Sequence, residues 1–599
     1  MRDALRTLLA VAMFSSTTSA QDSGFTVEFD KDTLEIVEPF QREVSVWATI
    51  RNTTRGEDVI RVSIVGPSSQ ASRGGLVHLD AGETVRHQVA HIEQRMAEPG
   101  DAVTLDVRME SSRRSASVFQ KRITVRFARS AAGMLHAVPM TLRVFDAETK
   151  GAIRRAVAFG YVGPDSRTEK SRVEADGRLV LALPKAEALG HIAATHGIEW
   201  SGCTVEVQAE GYATRVLTRL KPAGAASQDV YLDPLPEPAR FRADWLAELK
   251  FPGVWRVRPS KDWRFVAVAL GKHPDPWDRK GPVPTVVVLF TAGGECLWKY
   301  AVDDAVWGMD IAPDGSRVVA GTHGGQLVMI DREGKLLWSK RTRSNLREIR
   351  FSNDGTRVAG ETSSRLEVLD ARTGAVVADC DAGIDTHWRG VAFGADDRRA
   401  VFAGAGALVM VDVAAKRPLW HGYVAQVPYD VRITADFSRL VVADKGGNVW
   451  CVTTRGEPVW HRGGIAVLTD MDMTDDGSRT AVLSHDGTIR VFDRDGELLW
   501  RRAVGFAGHN ALDMTGDGRR IVVGGGTREE PYAVFVFDAD GNLLWKHSEP
   551  GPMPDPYHPY QSSAMTVAVS EDGSRIVAGY GTGRPAVQFF SAERSPERK

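Results

Sequence analysis

Five segments of this chain end in nearly the same way: GECLW, GKLLW, GEPVW, GELLW and GNLLW close on Trp298, Trp338, Trp460, Trp500 and Trp545. Trp298 and Trp338 are 40 residues apart, as are Trp420, Trp460 and Trp500 in succession, and Trp545 follows after 45. The gap between Trp338 and Trp420 conceals one unit in which Ala378, in DARTGAVVADC, holds the tryptophan's place. A second marker keeps the same step: PDGSR at 313, NDGTR at 353, ADDRR at 395, ADFSR at 435, DDGSR at 475, GDGRR at 516 and EDGSR at 571. A unit of about 40 residues cannot bury a core alone, so stacked copies must share one.

Each unit holds four short β-type runs, such as VWGMDIAP, SRVVAGTH, GQLVMID and KLLWSKR, parted by Asp-Gly or Gly-Gly turns. Four strands at that period are the pattern of a β-propeller blade. With the strands of a blade named a to d from the axis outward, the tryptophan falls on strand d, where an indole fills the wedge between twisted neighbouring sheets. Inner strands begin near Trp255, Trp307, Leu346, Trp388, Tyr429, Thr469, Asn510 and Ala564, which counts eight blades, with seven as the alternative. The last unit ends without its own strand d. DWLAELKFPGVW, with Trp245 about ten residues before Trp255, is expected to supply it and so remove two open edges.

The G-x-L-L-W ends resemble the repeats of quinoprotein (PQQ-like) propellers, and the PDGSRVVAG turns resemble WD-repeat and TolB-type propellers. The resemblance covers residues 240–595 and implies a fold rather than an activity. Upstream, residues 23–131 alternate as REVSVWATIRN, GLVHLDAGETVRHQV, AVTLDVRME and KRITVRF, which is similar to an immunoglobulin-like sandwich. Residues 137–235 run from MTLRVFDAETKGAIRRAVAFGYV to CTVEVQAEGYATRVLTRL and resemble a carboxypeptidase regulatory-like, transthyretin-type sandwich. DPLPEPARF is the expected hinge. The whole is an all-β chain: two β-sandwiches, then a propeller.

Residues 1–20 read as a signal peptide, with Arg2 and Arg6, an apolar run from Leu8 to Phe14, and Thr18-Ser19-Ala20 before cleavage. No cysteine follows that point, so no lipid anchor is expected there, and no later run reaches the roughly 20 apolar residues of a spanning helix. A secreted or periplasmic monomer is the expectation. A formal net charge of -2 gives no general field for nucleic acid. Cys203, Cys296, Cys380 and Cys451 form no CxxC pair and are expected as buried free thiols.

Chemistry is sparsely written. Resemblance to quinoproteins implies a calcium site and adjacent cysteines, neither of which the sequence supplies, so no cofactor and no metal is expected. Asp493-Arg494-Asp495-Gly496 and Asp538-Ala539-Asp540-Gly541 are too short for six calcium oxygens and read as hairpin turns. No catalytic residue is assigned. His509, in GHNALDM, is the one candidate, by resemblance to the aryl-sulfate sulfotransferases with their central histidine.

Loop lengths point to a surface. In a four-stranded meander the b–c turns and the d-to-a crossings share one mouth, and four of these are long: 271–284, 524–532, 550–563 and 579–586. They belong to blades 1, 7 and 8, neighbours on a closed ring, and so gather on one sector. His273, Trp277, Arg279, Arg528, Glu529, Tyr532, Tyr557, His558, Tyr560 and Arg584 supply the aromatic and arginine anchors of a binding surface. Trp255, Trp307, His387, Trp388, Tyr429, Asp430, His509 and Asn510 are expected to line an axial funnel on the same face. Two classes remain open: an exported non-enzymatic interaction scaffold for a protein or glycan of the envelope or exterior, or a propeller enzyme, sulfotransferase-like or quinoprotein oxidoreductase-like, centred in the funnel.

Overall fold

The structure, a computed structural model, describes the strands and most turns between residues 25 and 593. Residues 1–24, 37–42, 66–75, 94–101, 112–117, 128–136, 194–201, 236–239, 271–284, 343–347, 382–387, 424–427, 527–529, 550–563, 582–585 and 594–599, with some stretches of one to three residues, lie outside the description. The expected signal peptide therefore lies outside it as well.

Residues 241–592 form eight four-stranded antiparallel sheets, seven of them meanders taken in sequence order. The eighth joins Ala564–Val569, Arg575–Tyr580 and Ala586–Ala592 to Phe241–Glu248, the strand that carries Trp245. The first inner strand also reaches the last sheet: the Val257 amide donates to Thr566 Oγ1 at 3.3 Å, and Val254 packs in one cluster with Val577 and Val587. Middle strands such as Ile521–Gly526 and Tyr532–Phe537 are buried along their whole length, because each sheet is covered on both faces by its neighbours.

The repeated tryptophan explains itself at the sheet junctions. Trp298, on the outer strand of the first sheet (Cys296–Val302), donates its indole N–H to the Arg332 carbonyl of the second at 2.9 Å, and its ring lies on Gly334. The same pairing recurs for Trp245 with Ala292 and Gly294, Trp338 with Ala371 and Gly374, Trp420 with Thr454 and Gly456, Trp460 with Arg494 and Gly496, and Trp500 with Ala539 and Gly541. A Cβ on Gly334 would stand 2.9 Å from the Trp298 ring. Where Ala378 replaces the indole, the equivalent turn position in the next sheet is Lys416, at φ 56°. Glycine is thus kept where an indole needs the space.

Upstream lie four more sheets of three to five strands. Phe25–Phe29, Glu43–Asn52 and Thr84–Glu93 form one, and Thr33–Ile36, Val118–Phe127, Ala102–Ser111, Asp58–Val65 and Leu76–Leu79 a second. The other two, built on Ala137–Asp146 and on Val157–Gly163, share one apolar cluster that includes Leu142, Val144, Ala158, Leu181 and Val207. This last pair is attached to the seventh sheet. Gly211 donates its amide to the Leu543 carbonyl at 3.0 Å, Tyr212 bridges Leu543, and Thr214 N–H reaches Asn542 Oδ1 at 3.1 Å. Beside this contact Arg501 stacks on Tyr161, 4.3 Å from the ring centre, and buried Glu206 accepts from the Tyr161 hydroxyl at 3.2 Å.

Two cysteines, Cys203 and Cys451, are buried free thiols, but Cys296 is exposed. It begins an outer strand whose free side has no covering sheet, which corrects the expectation of burial. Asp493 and Asp538 each accept amides of their own turns, as hairpin-forming residues do.

Candidate functional site

The inner strands share a local irregularity that prepares the site. Register shifts by a residue in six of them, at Trp255, Trp307, Arg389, Tyr429, Thr469 and Met565, which are the bulged positions of Val254–Pro259, Val306–Ile311, Trp388–Phe393, Pro428–Ile433, Leu468–Met473 and Ala564–Val569. A bulge re-aims the residues that follow it. Past it, six of the eight inner strands carry charge at one or both of two positions. Aligned on their turns, the repeats place Arg258, Asp310, Arg350, Ala392, Arg432, Asp472, Asp513 and Ala568 at one equivalent position, and Arg256, Gly308, Glu348, Gly390, Asp430, Asp470, Ala511 and Thr566 at the equivalent position two residues before it.

These groups bind one another and the backbone of the following strand. Arg256 Nη1 donates to Glu348 Oε1 at 2.9 Å, from the first inner strand to the third. Arg350 Nε lies 3.0 Å from the same oxygen, and Arg432 joins Asp430 at 2.6 Å to Asp472 at 3.0 Å. Asp310 accepts the Phe351 amide at 2.8 Å, Asp470 that of Leu512 at 2.8 Å, Asp472 that of Met514 at 2.9 Å, and Asp513 that of Val569 at 2.7 Å. Asp310, Asp470, Asp472 and Asp513 each staple one sheet to the next.

Burial sets the electrostatics. It pushes Asp470 up to about 7, helped by the nearby Asp430 charge, and raises Asp513 well above the usual carboxylate range, where Asp472 adds repulsion. Burial likewise raises Asp310 and Asp430. Burial also acts on Glu348, but the guanidinium groups of Arg256, Arg350 and Arg258 outweigh it and hold its pKa low. Arg258 is brought down to about 10 by burial and by Arg350 and Arg256. Four guanidinium groups therefore lie among six carboxyls, and burial favours the protonated form of Asp470 and of Asp513.

Of the expected funnel residues, Trp255, Trp307 and Tyr429 occupy bulges and Asp430 is one of the buried inner-strand charges. Trp388 starts its inner strand one place before the bulge. His509 and Asn510 fall in the irregular part of Phe506–Met514, between Ala507 and Leu512, and their side chains lie outside the description, as does His387. Trp307 meets His323 edge-on at 4.6 Å, and His323 Nδ1 lies 3.4 Å from Asp304. His323 belongs to a b–c turn and Asp304 to a d-to-a crossing, so the two kinds of loop do meet at one end of the second sheet.

Of the rim residues, His273, Trp277, Arg279, Arg528, Glu529, Tyr557, His558, Tyr560 and Arg584 lie outside the described residues. Tyr532 is described and is fully buried. It starts the strand Tyr532–Phe537 and packs edge-on against Tyr580 at 6.0 Å, so it belongs to the core and is no surface anchor. Near it runs a polar chain in which the Tyr580 hydroxyl donates to Gln588 Oε1 at 2.6 Å, Gln588 Nε2 donates to Glu549 at 3.0 Å, and His547 Nε2 lies 2.9 Å from Glu549.

Sequence reading missed all of these inner-strand charges except Asp430. The available signal was a charged residue set between apolar ones at a fixed distance before each turn, as in GMDIAPDG, EIRFSNDG, DVRITADF and DMDMTDDG.

A protein-family model described as outer membrane protein assembly factor BamB matches residues 284–462 and 439–587. Among solved structures, BamB from Moraxella catarrhalis is similar, at 18% identity and a TM-score of 0.43, over 59% of this chain and 100% of that one. No curated protein matches the chain.

Proposed function

Because those matched residues span just over half of its length, the chain belongs to the PQQ-like repeat family described as outer membrane protein assembly factor BamB, and from that premise we propose that it is an exported, non-enzymatic scaffold of the cell envelope. Its β-propeller of PQQ-like repeats presents a docking face for another protein. The finer reading is an eight-bladed ring over residues 240–595, closed by Phe241–Glu248, with sandwiches at 23–131 and 137–235 and a signal peptide at 1–20. Eight four-stranded sheets and the contacts between the first and last support it.

The observation that carries the scaffold reading is the use made of the axial charges. Five of the six described carboxylates there bind arginines or amides of another sheet, which joins the sheets together. Variation in length is concentrated instead in the loops 271–284, 524–532, 550–563 and 579–586, whose aromatic and arginine content suits protein recognition. Membership of a family described by outer-membrane assembly makes an envelope protein the preferred partner over a glycan.

The test replaces 271–284 and 550–563 by four-residue turns and compares cross-linked partners from envelope extracts by mass spectrometry. Loss of specific partners, with thermal midpoint unchanged, is expected. An unchanged partner set refutes the docking face, and a bound quinone or turnover abolished by His509→Ala refutes the scaffold.

A further inference from the structure

Three outer strands carry the same Leu-Leu-Trp end but differ in what covers it. In the seventh sheet, Leu543 and Leu544 are 4% and 3% exposed. Their equivalents Leu336 and Leu337 in the second sheet are 39% and 40% exposed, and Leu498 and Leu499 in the sixth are 48% and 45%. Leu544 packs in one cluster with Phe241 and Leu235, and Leu543 is met by the segment Ala209–Thr214, which lies along the seventh sheet's edge through the Gly211 amide, the Tyr212 bridge and the Thr214 contact to Asn542. The chain thus shows on itself what a Leu-Leu-Trp edge accepts.

We propose that the outer edge of the second sheet, Leu336–Arg341, is a docking site for an extended segment of a partner protein bearing a glycine–aromatic pair followed two residues later by an acidic residue. The strand is last in its sheet, so one side of its backbone is unpaired by any strand among the described residues. Trp338 is already engaged with the third sheet through Ala371, which leaves Leu336 and Leu337 outside that junction. Lys335 stands where Asn542 stands in the seventh sheet. The Asn542 oxygen accepts the Thr214 amide, whereas an ammonium group only donates, so a carboxylate in place of Thr214 completes the contact.

Other edges are less open to such a guest. Pro418 and Pro458 occupy the Leu336 position in the fourth and fifth sheets, a device that discourages edge pairing. In the sixth, Glu497 takes the place of Lys335 and is held by Arg462 at 2.6 Å, while Arg501 further along is covered by Tyr161. The second sheet alone combines an uncovered Leu-Leu pair with an exposed cation. This site is on an outer edge and not at the mouth, so it stands whether or not the mouth binds.

The experiment uses the full chain and a synthetic peptide, VQAEGYADRV, which copies residues 207–216 with Thr214→Asp, in a fluorescein form for anisotropy and a form with benzoylphenylalanine at the tyrosine for photo-cross-linking. Saturable binding with cross-links within residues 335–341 is expected, weakened at least tenfold by Leu336→Pro and by Lys335→Glu. Proline is already native at the equivalent positions 418 and 458, so Leu336→Pro is compatible with folding, and an unchanged melting curve checks this. A VQAEGYAKRV peptide should regain binding to the Lys335→Glu chain. No saturable binding, cross-links only on the seventh sheet, or indifference to both substitutions would each overturn the proposal.

Discussion

If glycine is retained at the sheet junctions to make room for an indole, then Gly334→Ala should be costly only while Trp298 is present. Two contributions add in the native chain. The backbone at Gly334 has φ 84°, where a side chain costs about 1–2 kcal/mol. The new Cβ would also stand 2.9 Å from the Trp298 ring, inside contact distance, and displacing the ring disturbs a bond to Arg332 worth about 1 kcal/mol together with local packing of about the same size. The single substitution should therefore lower local stability by about 3–4 kcal/mol, and by only about 1–2 kcal/mol in a Trp298→Ala background. Native hydrogen exchange of the amides in 326–341, read by mass spectrometry, measures the local opening free energy strand by strand, which suits a chain too large for one two-state transition. A coupling of about 1.5 kcal/mol or more supports the argument. Equal penalties in both backgrounds, within about 0.5 kcal/mol, refute it. Lys416→Gly, at the junction where Ala378 replaces the indole, should stay within about 1 kcal/mol of neutral.

Three other substitutions probe the axis and the attachment of the upstream sheets. Asp470 is an acid whose folded pKa, about 7, lies above its ordinary 3.8, so the folded chain holds a proton that the unfolded chain releases, and stability should fall as pH rises from about 4 to 7. Asp470→Asn should flatten that fall in thermal melts and raise the midpoint at pH 8; an unaltered pH profile would count against a buried protonated carboxyl. Glu348→Gln leaves Arg256, Arg258 and Arg350 without their shared counter-charge and should cost roughly 3–5 kcal/mol, seen as a lower thermal midpoint that a neutral result would contradict. Arg501→Ala removes the cover of Tyr161 and the nearest cation to Glu206, and should speed proteolysis between residues 201 and 240 severalfold, whereas unchanged cleavage would show that the contact at Leu543 suffices.

The tryptophans and Asp-Gly turns were legible because one contact recurs and admits few residue types: only an indole reaches the next sheet's turn while leaving room for nothing but glycine beneath it. The inner-strand charges obey no such rule. A staple between sheets is made as well by Asp310 accepting an amide as by Arg432 bridging two carboxylates, so the residue changes from repeat to repeat and only the position persists. Tyr532 was misplaced for a related reason. GGGTREEPY reads as a continuous loop by composition, but YAVFVF, buried on both faces, needs its first aromatic inside the sheet stack, and the strand begins there.

A sheet stack of this kind leaves few places free to change. The middle strands touch neighbours on both faces, so a polar residue there faces apolar surface on either side, and the axial positions are bound to one another. Length can vary only in the turns, and side-chain polarity only along the outer edge beyond the docked indole. A partner must therefore read one of these two surfaces, and they respond to different changes. Shortening 550–563 alters the mouth without touching Leu336, while Leu336→Pro alters an edge and leaves the indole of Trp338 on Gly374. If both changes abolished the same partner, that partner would have to reach from the mouth around to the outer edge of the second sheet, and the two surfaces would be parts of one footprint.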